Sequence, residues 1–288
     1  MTSAETKSRN MFLTSMCIFG TIGILRRYIP LSSSVVALVR GVIGSAFLLL
    51  VILFSKQKLN MDAIRKNLPF LALSGAAIGF NWILLFEAYN YTSVATATLC
   101  YYLAPILVIL ASPIVLKEKL TSKKLLCTVT ALVGMVLVSG ITEASFSGIA
   151  EWKGILFGIG AAILYASVIL MNKKLPDVPA YDKTILQLSM ASIALFPYVL
   201  LTENLSAVSL TPLAVILLLI AGVVHTGIAY WLYFGSMNHL PSHSVALLSY
   251  IDPILAIVLS LVLLREPMTL AAGIGAVMIL GAAYFSEK

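Results

Sequence analysis

Charged residues are scarce in this chain: Asp, Glu, Lys and Arg make up 11% of its 288 residues, against 60% hydrophobic ones. Soluble domains carry about a quarter charged residues, so the composition excludes an ordinary water-soluble globule and makes lipid the solvent. Cysteine is also sparse. Cys17, Cys100 and Cys127 lie in apolar runs without CxxC spacing, which excludes a disulfide framework. Of the three histidines, His239 and His243 flank Pro241 with no cysteine nearby, whereas structural zinc takes four ligands; no metal or other cofactor is expected. HExxH, GxxxxGK and GxSxG are missing, so no enzyme motif is present. Acidic residues are outnumbered 12 to 19 by basic ones, a net charge of +7. In a soluble protein that balance suggests nucleic acid; in lipid it fits basic loops against anionic headgroups, and no nucleic-acid partner is expected.

What the chain does have is long apolar runs. Hydropathy predicts ten spans, at about 11–29, 34–54, 68–88, 94–116, 125–141, 154–172, 184–201, 213–235, 243–264 and 269–285. The first run ends in Arg26-Arg27 without a small-residue cleavage site, so it reads as retained. Ten spans of roughly 20 residues use about 200 positions and leave no room for an extramembrane domain. Alternate loops and both tails hold 14 of the 19 Lys and Arg residues, the opposite side holds Arg26, Arg27, Lys153 and Arg265, and Arg40 lies within a span. The positive-inside rule then predicts cytoplasmic termini and a multi-pass protein of the plasma (inner) membrane.

The chain also repeats itself. Displaced by 148 positions, Asn90–Thr121 aligns with Asn238–Thr269 without a gap, and 11 of 32 pairs are identical. Tyr102-x-x-Pro105-Ile106-Leu107 falls on Tyr250-x-x-Pro253-Ile254-Leu255, and Leu116-Lys117-Glu118 on Leu264-Arg265-Glu266. Five spans per half is an odd number, so the second half enters from the opposite side. The expected fold is an all-α integral membrane protein of ten transmembrane helices in two inverted five-helix repeats. Its parts are a cytoplasmic tail (1–10), a first repeat (11–141), an outer linker (142–153), a second repeat (154–285) and a short tail (286–288). Inverted repeats are the building plan of many secondary transporters.

At these residues, together with Phe19-Gly20-Thr21 in span 1 and Arg40 in span 2, the sequence resembles the EamA-type transporters of the drug/metabolite transporter superfamily, over essentially the whole chain. The resemblance implies a central cavity lined by spans 1, 3, 4, 6, 8 and 9. It also implies a substrate drawn from amino acids, other small metabolites or cationic drugs, moved mostly outward.

Within the spans, His225 lies roughly 18 Å deep at 1.5 Å per residue, with Asn81 at similar depth in span 3. The offset places His225 on Ala77, four residues from Asn81, so the two polar residues occupy one face of equivalent helices. Either they bind substrate or they join helices by hydrogen bonds. Asp252 is the only carboxylate deep in a span and Arg40 the only deep base. They are candidates for a mutual pair, and Asp252 also for a substrate ammonium group. Asp252 and His225 are the candidates for proton coupling. Aromatic and phenolic residues at depth complete the predicted cavity of Asn81, Tyr101, Tyr102, His225, Trp231, Tyr250 and Asp252. Pro105 and Pro253 each free a backbone carbonyl four residues upstream and are predicted hinges.

The expected activity is secondary transport, in the export direction, of a neutral or zwitterionic small molecule such as an amino acid, with organic cations as the alternative. A lipid-modifying enzyme and a non-transporting scaffold are more distant alternatives. Small residues at Gly75-x-x-x-Gly79 and along span 10 allow close helix approach, and the assembly is expected to be a monomer or a weak homodimer.

Overall fold

A computed structural model describes residues 3–55, 58–92, 97, 100–139, 149–204, 210–237, 239–263 and 269–286. The described residues are almost entirely helical. The helices are α1 (Ser3–Arg27), α2 (Ser33–Ser55), α3 (Met61–Tyr91), α4 (Ala104–Val115), α5 (Ser122–Ser139), α6 (Ile149–Lys173) and α7 (Ala180–Thr202). They continue as α8 (Pro212–Met237), α9 (Ser242–Leu248), α10 (Ile251–Leu263) and α11 (Leu270–Ser286). Stretches of α2, α3, α6, α7 and α8, each 22 to 26 residues long, are long and apolar enough to cross a membrane; Ala104–Val115 and Gly273–Ala282 are shorter apolar helices.

Several boundaries differ from hydropathy for identifiable reasons. Helix α1 begins at Ser3, inside the polar stretch read as a tail, because a backbone can stay helical beyond its apolar part. Helix α3 begins seven residues before its expected apolar start, where Asn60 caps it by accepting from the Ala63 N–H at 3.1 Å. The Asn60 N–H in turn donates to Asp182 at 2.8 Å, tying this loop to α7. The fourth and ninth segments are not single helices. Turns at Tyr102–Leu103 and Ser249–Tyr250 interrupt them, so Pro105 and Pro253 lie in the first turns of α4 and α10. There the missing N–H has little to lose, and the predicted kinks inside continuous helices become outright breaks.

Helix α8 contains a π segment at Val223–Ile228. Such i→i+5 turns put more residues in a turn than an α-helix does, so the faces that follow are rotated relative to a 3.6-residue count.

The packing comes in exchanged pairs. Helix α3 packs on α6 as α8 packs on α1, α4 on α6 as α10 on α1, and α3 on α7 as α8 on α2, while α2 meets α7 and α5 meets α11. Swapping first-half helices for second-half ones leaves this set unchanged. Glycines make these approaches possible. At Gly75, an added Cβ would stand 2.7 Å from the Gln187 carbonyl, and at Gly134 it would stand 2.7 Å from the Gly275 carbonyl. Gly275 of the last helix therefore serves its seam with α5.

Candidate functional site

The two charges expected at depth lie on different helices and have different partners. Arg40 is one-third of the way along α2. Its Nε donates to Thr226 Oγ1 at 3.0 Å, and its guanidinium carbon sits 4.8 Å from the Trp82 ring centroid, a cation–π arrangement. Thr226 is held by the π segment, its hydroxyl donating to the Ala221 carbonyl five residues back at 2.8 Å. Asp252, in the first turn of α10, is hydrogen-bonded by the Tyr102 hydroxyl. Among the described residues no ion pair joins Arg40 to Asp252.

A series of ring contacts runs from one to the other. Trp82 meets Tyr230 edge-on at 6.1 Å, and Tyr230 contacts Phe19 at 5.1 Å and Tyr233 at 6.4 Å. The Tyr233 hydroxyl is 2.8 Å from that of Tyr165. Tyr165 stacks on Tyr101 at 5.3 Å, and Tyr101 adjoins Tyr102 at 5.7 Å. A phenol-lined cluster thus has a cation at one end and an anion at the other.

Tyr102 and Tyr250 carry the contact that links the halves. Their rings are 5.9 Å apart, and the Tyr250 hydroxyl donates to the Tyr102 carbonyl at 3.0 Å across a separation of 148 residues, the repeat offset itself. Each tyrosine stands at one of the two chain breaks, so the breaks meet each other.

The remaining predicted residues divide. Asn81 and His225 are both buried, and each joins its helix to the exchanged partner. Asn81 donates to the Ala161 carbonyl of α6 at 2.7 Å; His225 Nε2 lies 2.8 Å from Thr21 Oγ1 of α1. Asn81 also reaches the Tyr101 hydroxyl. Trp231 pairs instead with Tyr181 at 4.9 Å, near the start of α7. Trp82 takes the place beside Arg40. Tyr165 and Thr226 were not singled out from sequence. Tyr165 lies about two-thirds of the way along apolar α6, and that depth is its only available signal.

At one end of the cluster, Glu118 bridges the halves. Its carboxylate accepts from the Ser242 N–H at 3.1 and 3.2 Å and from the Ser242 hydroxyl at 2.8 Å. Beside it, Lys173 donates to the Leu240 carbonyl. At the other end of α3, the Tyr198 hydroxyl donates to Glu87 at 2.5 Å.

Comparison with known proteins agrees with this architecture. A solved crystal structure superposes with a TM-score of 0.85 over 97% of this chain and 96% of its own, at 18% identity, which speaks for the fold alone. An uncharacterized transporter of Bacillus subtilis (strain 168), YxxF, is 30% identical over 265 residues, covering 92% of this chain and 84% of that protein. Protein PecM of Dickeya dadantii (strain 3937) is 26% identical over 228 residues, 75% of each chain. Protein RarD of Salmonella typhi is 29% identical over 204 residues, 70% of this chain and 66% of its own. The pattern of the EamA-like transporter family matches twice, at residues 10–140 and 152–287. With both of its matches falling on the two halves whose packing exchanges, this multi-pass membrane chain belongs to the EamA-like transporter family.

Proposed function

We propose that the chain is a secondary transporter that exports small neutral or zwitterionic metabolites, amino acids foremost, by alternating access between two inverted five-span halves. The observation that carries this reading is the meeting of the two chain breaks at Tyr102 and Tyr250, beside a tyrosine-rich cluster holding the Asp252 carboxylate. Broken helices near the midplane are where transporters of this plan bind substrate, and a cluster of phenols with few fixed charges suits an amphipathic solute. The sequence has no ATP-binding motif, so the driving force is a solute or ion gradient, with Asp252 and His225 as the groups available to a proton.

The exchange-symmetric packing and the excess of basic residues on one set of loops support ten spans with cytoplasmic termini. Lys58 and Asn204 are both exposed and lie on predicted opposite sides. A membrane-impermeant thiol reagent applied from outside should label Asn204→Cys and spare Lys58→Cys in a background lacking Cys17, Cys100 and Cys127; the reverse pattern overturns the topology.

Asp252 surrounded by aromatic rings also favours a second reading, an organic-cation substrate. Counterflow in proteoliposomes separates the two. The zwitterion reading expects amino-acid exchange by the parent and its reduction by at least about tenfold in Asp252→Asn, since an ionic contact to an ammonium group is replaced by a neutral one. Cation exchange without amino-acid exchange in the parent selects the second reading.

A further inference from the structure

We infer that the free edge of the Arg40 guanidinium is a carboxylate subsite, which anchors the acid end of a zwitterionic solute. This inference rests on the zwitterion reading above and adds to it the atoms that would recognise the acid.

The guanidinium is immobilised on two sides and open on the third. Its Nε is committed to Thr226 Oγ1 at 3.0 Å, and one face is covered by Trp82, with 4.8 Å between the guanidinium carbon and the ring centroid. Among the described residues, no acceptor engages the two Nη atoms, and neither belongs to the sealed, unpartnered side-chain atoms of the interior. Arg40 is only partly buried. An arginine inside a membrane protein is costly unless a partner or water meets it, and among the described residues no carboxylate does. A planar cation with one edge anchored and one face covered presents its remaining Nη pair as a two-pronged donor, the geometry that binds a carboxylate through two parallel hydrogen bonds.

Thr226 makes the anchoring firm. Its hydroxyl hydrogen is used by the Ala221 carbonyl at 2.8 Å, which leaves a lone pair for Arg40 Nε and holds the hydroxyl in one rotamer. A π segment is common at functional sites, and this one places Thr226 against Arg40 while its neighbour His225 turns to Thr21 at 2.8 Å. At the far end, Asp252 is oriented by Tyr102. A single fork matches one monovalent carboxylate. A phosphate or dicarboxylate would need further bases in the cluster.

The test uses the full chain, purified and in proteoliposomes. The probes are matched triplets built on phenylalanine, leucine and serine: the amino acid, its methyl ester and the corresponding amine. Half-saturation of uptake and ligand-induced thermal shift are both read. The parent is expected to favour the amino acid over its ester by tenfold or more. Arg40→Lys, which keeps the charge and removes the fork, should bring that ratio close to one, and Arg40→Gln should do the same. Thr226→Val, which keeps Arg40 but loosens it, should lower the ratio about threefold. Monodisperse elution and an unshifted melting point without ligand identify folded variants. Should the Arg40 variants fail to fold, Thr226→Val decides. An unchanged ratio in the folded variants overturns the subsite, whereas a parent that takes amines and esters but no amino acid overturns the zwitterion reading beneath it.

Discussion

Gly20→Leu is expected to abolish transport and to lower the thermal midpoint of the purified protein, whereas Gly281→Ala is expected to change neither. At Gly20 an added Cβ would lie 2.8 Å from the Asp252 carbonyl oxygen and 3.0 Å from Leu255 Cβ. The first of these is backbone, and leucine brings three further carbons into the same seam. Overpacking a tight interface typically costs about 1–3 kcal/mol, and relief here requires α10 to move away from α1. Asp252 travels with α10, so the displacement reaches the candidate site as well as the fold. At Gly281 nothing lies within 4 Å of an added Cβ. Counterflow and heat-challenged size-exclusion chromatography check the pair. Transport by Gly20→Leu within twofold of the parent would show that the α1–α10 approach is not needed.

Glu118→Ala is expected to release the start of α9. The carboxylate is the acceptor for both the N–H and the hydroxyl of Ser242, and hydrogen bonds to charged groups contribute about 1.5–3 kcal/mol each. Losing even one such contribution raises local opening by roughly tenfold or more, since 1.4 kcal/mol is a factor of ten. Amide hydrogen exchange over residues 239–250 should therefore accelerate at least about tenfold, while α6 residues near Ala161 keep their protection. Glu118→Gln, which retains an acceptor without the charge, should fall between. Unaltered exchange in Glu118→Ala removes this bridge as a closure between the halves.

Much of the architecture is legible in the sequence. Apolar runs locate the helices, and the 148-residue offset finds Tyr102 and Tyr250, which turn out to be hydrogen-bonded to each other. Pro105 and Pro253, read as hinges, each lie in the first turn of a helix that follows a chain break instead of bending one. The reading fails where local periodicity stops holding. Trp231 follows the π segment by only three residues, where a 3.6-residue count no longer fixes the face a residue takes, and it meets Tyr181. Arg40 and Asp252 stand out as charges in an apolar chain, but their partners, Thr226 and Tyr102, are a common hydroxyl residue and one tyrosine among 12. No sequence signal separates Thr226 from its neighbours, and the repeat that marks Tyr102 does not show that it meets Asp252. Asn81 and His225 were matched in depth, and the structure gives both a role in joining exchanged helix pairs.

Duplicating one half-protein would yield a molecule indifferent between its two mirror arrangements, a balance with equal weights in both pans. The tyrosine pair at the centre of this chain is not balanced in that way. Tyr102 has Asp252 as partner for its hydroxyl, while the position equivalent to Asp252 in the first half is Ala104, which offers Tyr250 nothing, and Tyr250 turns to the Tyr102 backbone instead. One hydrogen bond contributes about 0.5–1.5 kcal/mol, enough to tilt an otherwise even equilibrium by roughly twofold to tenfold. In the proposed alternating-access cycle, divergence at a single position after duplication is thus sufficient to give the protein a preferred resting side.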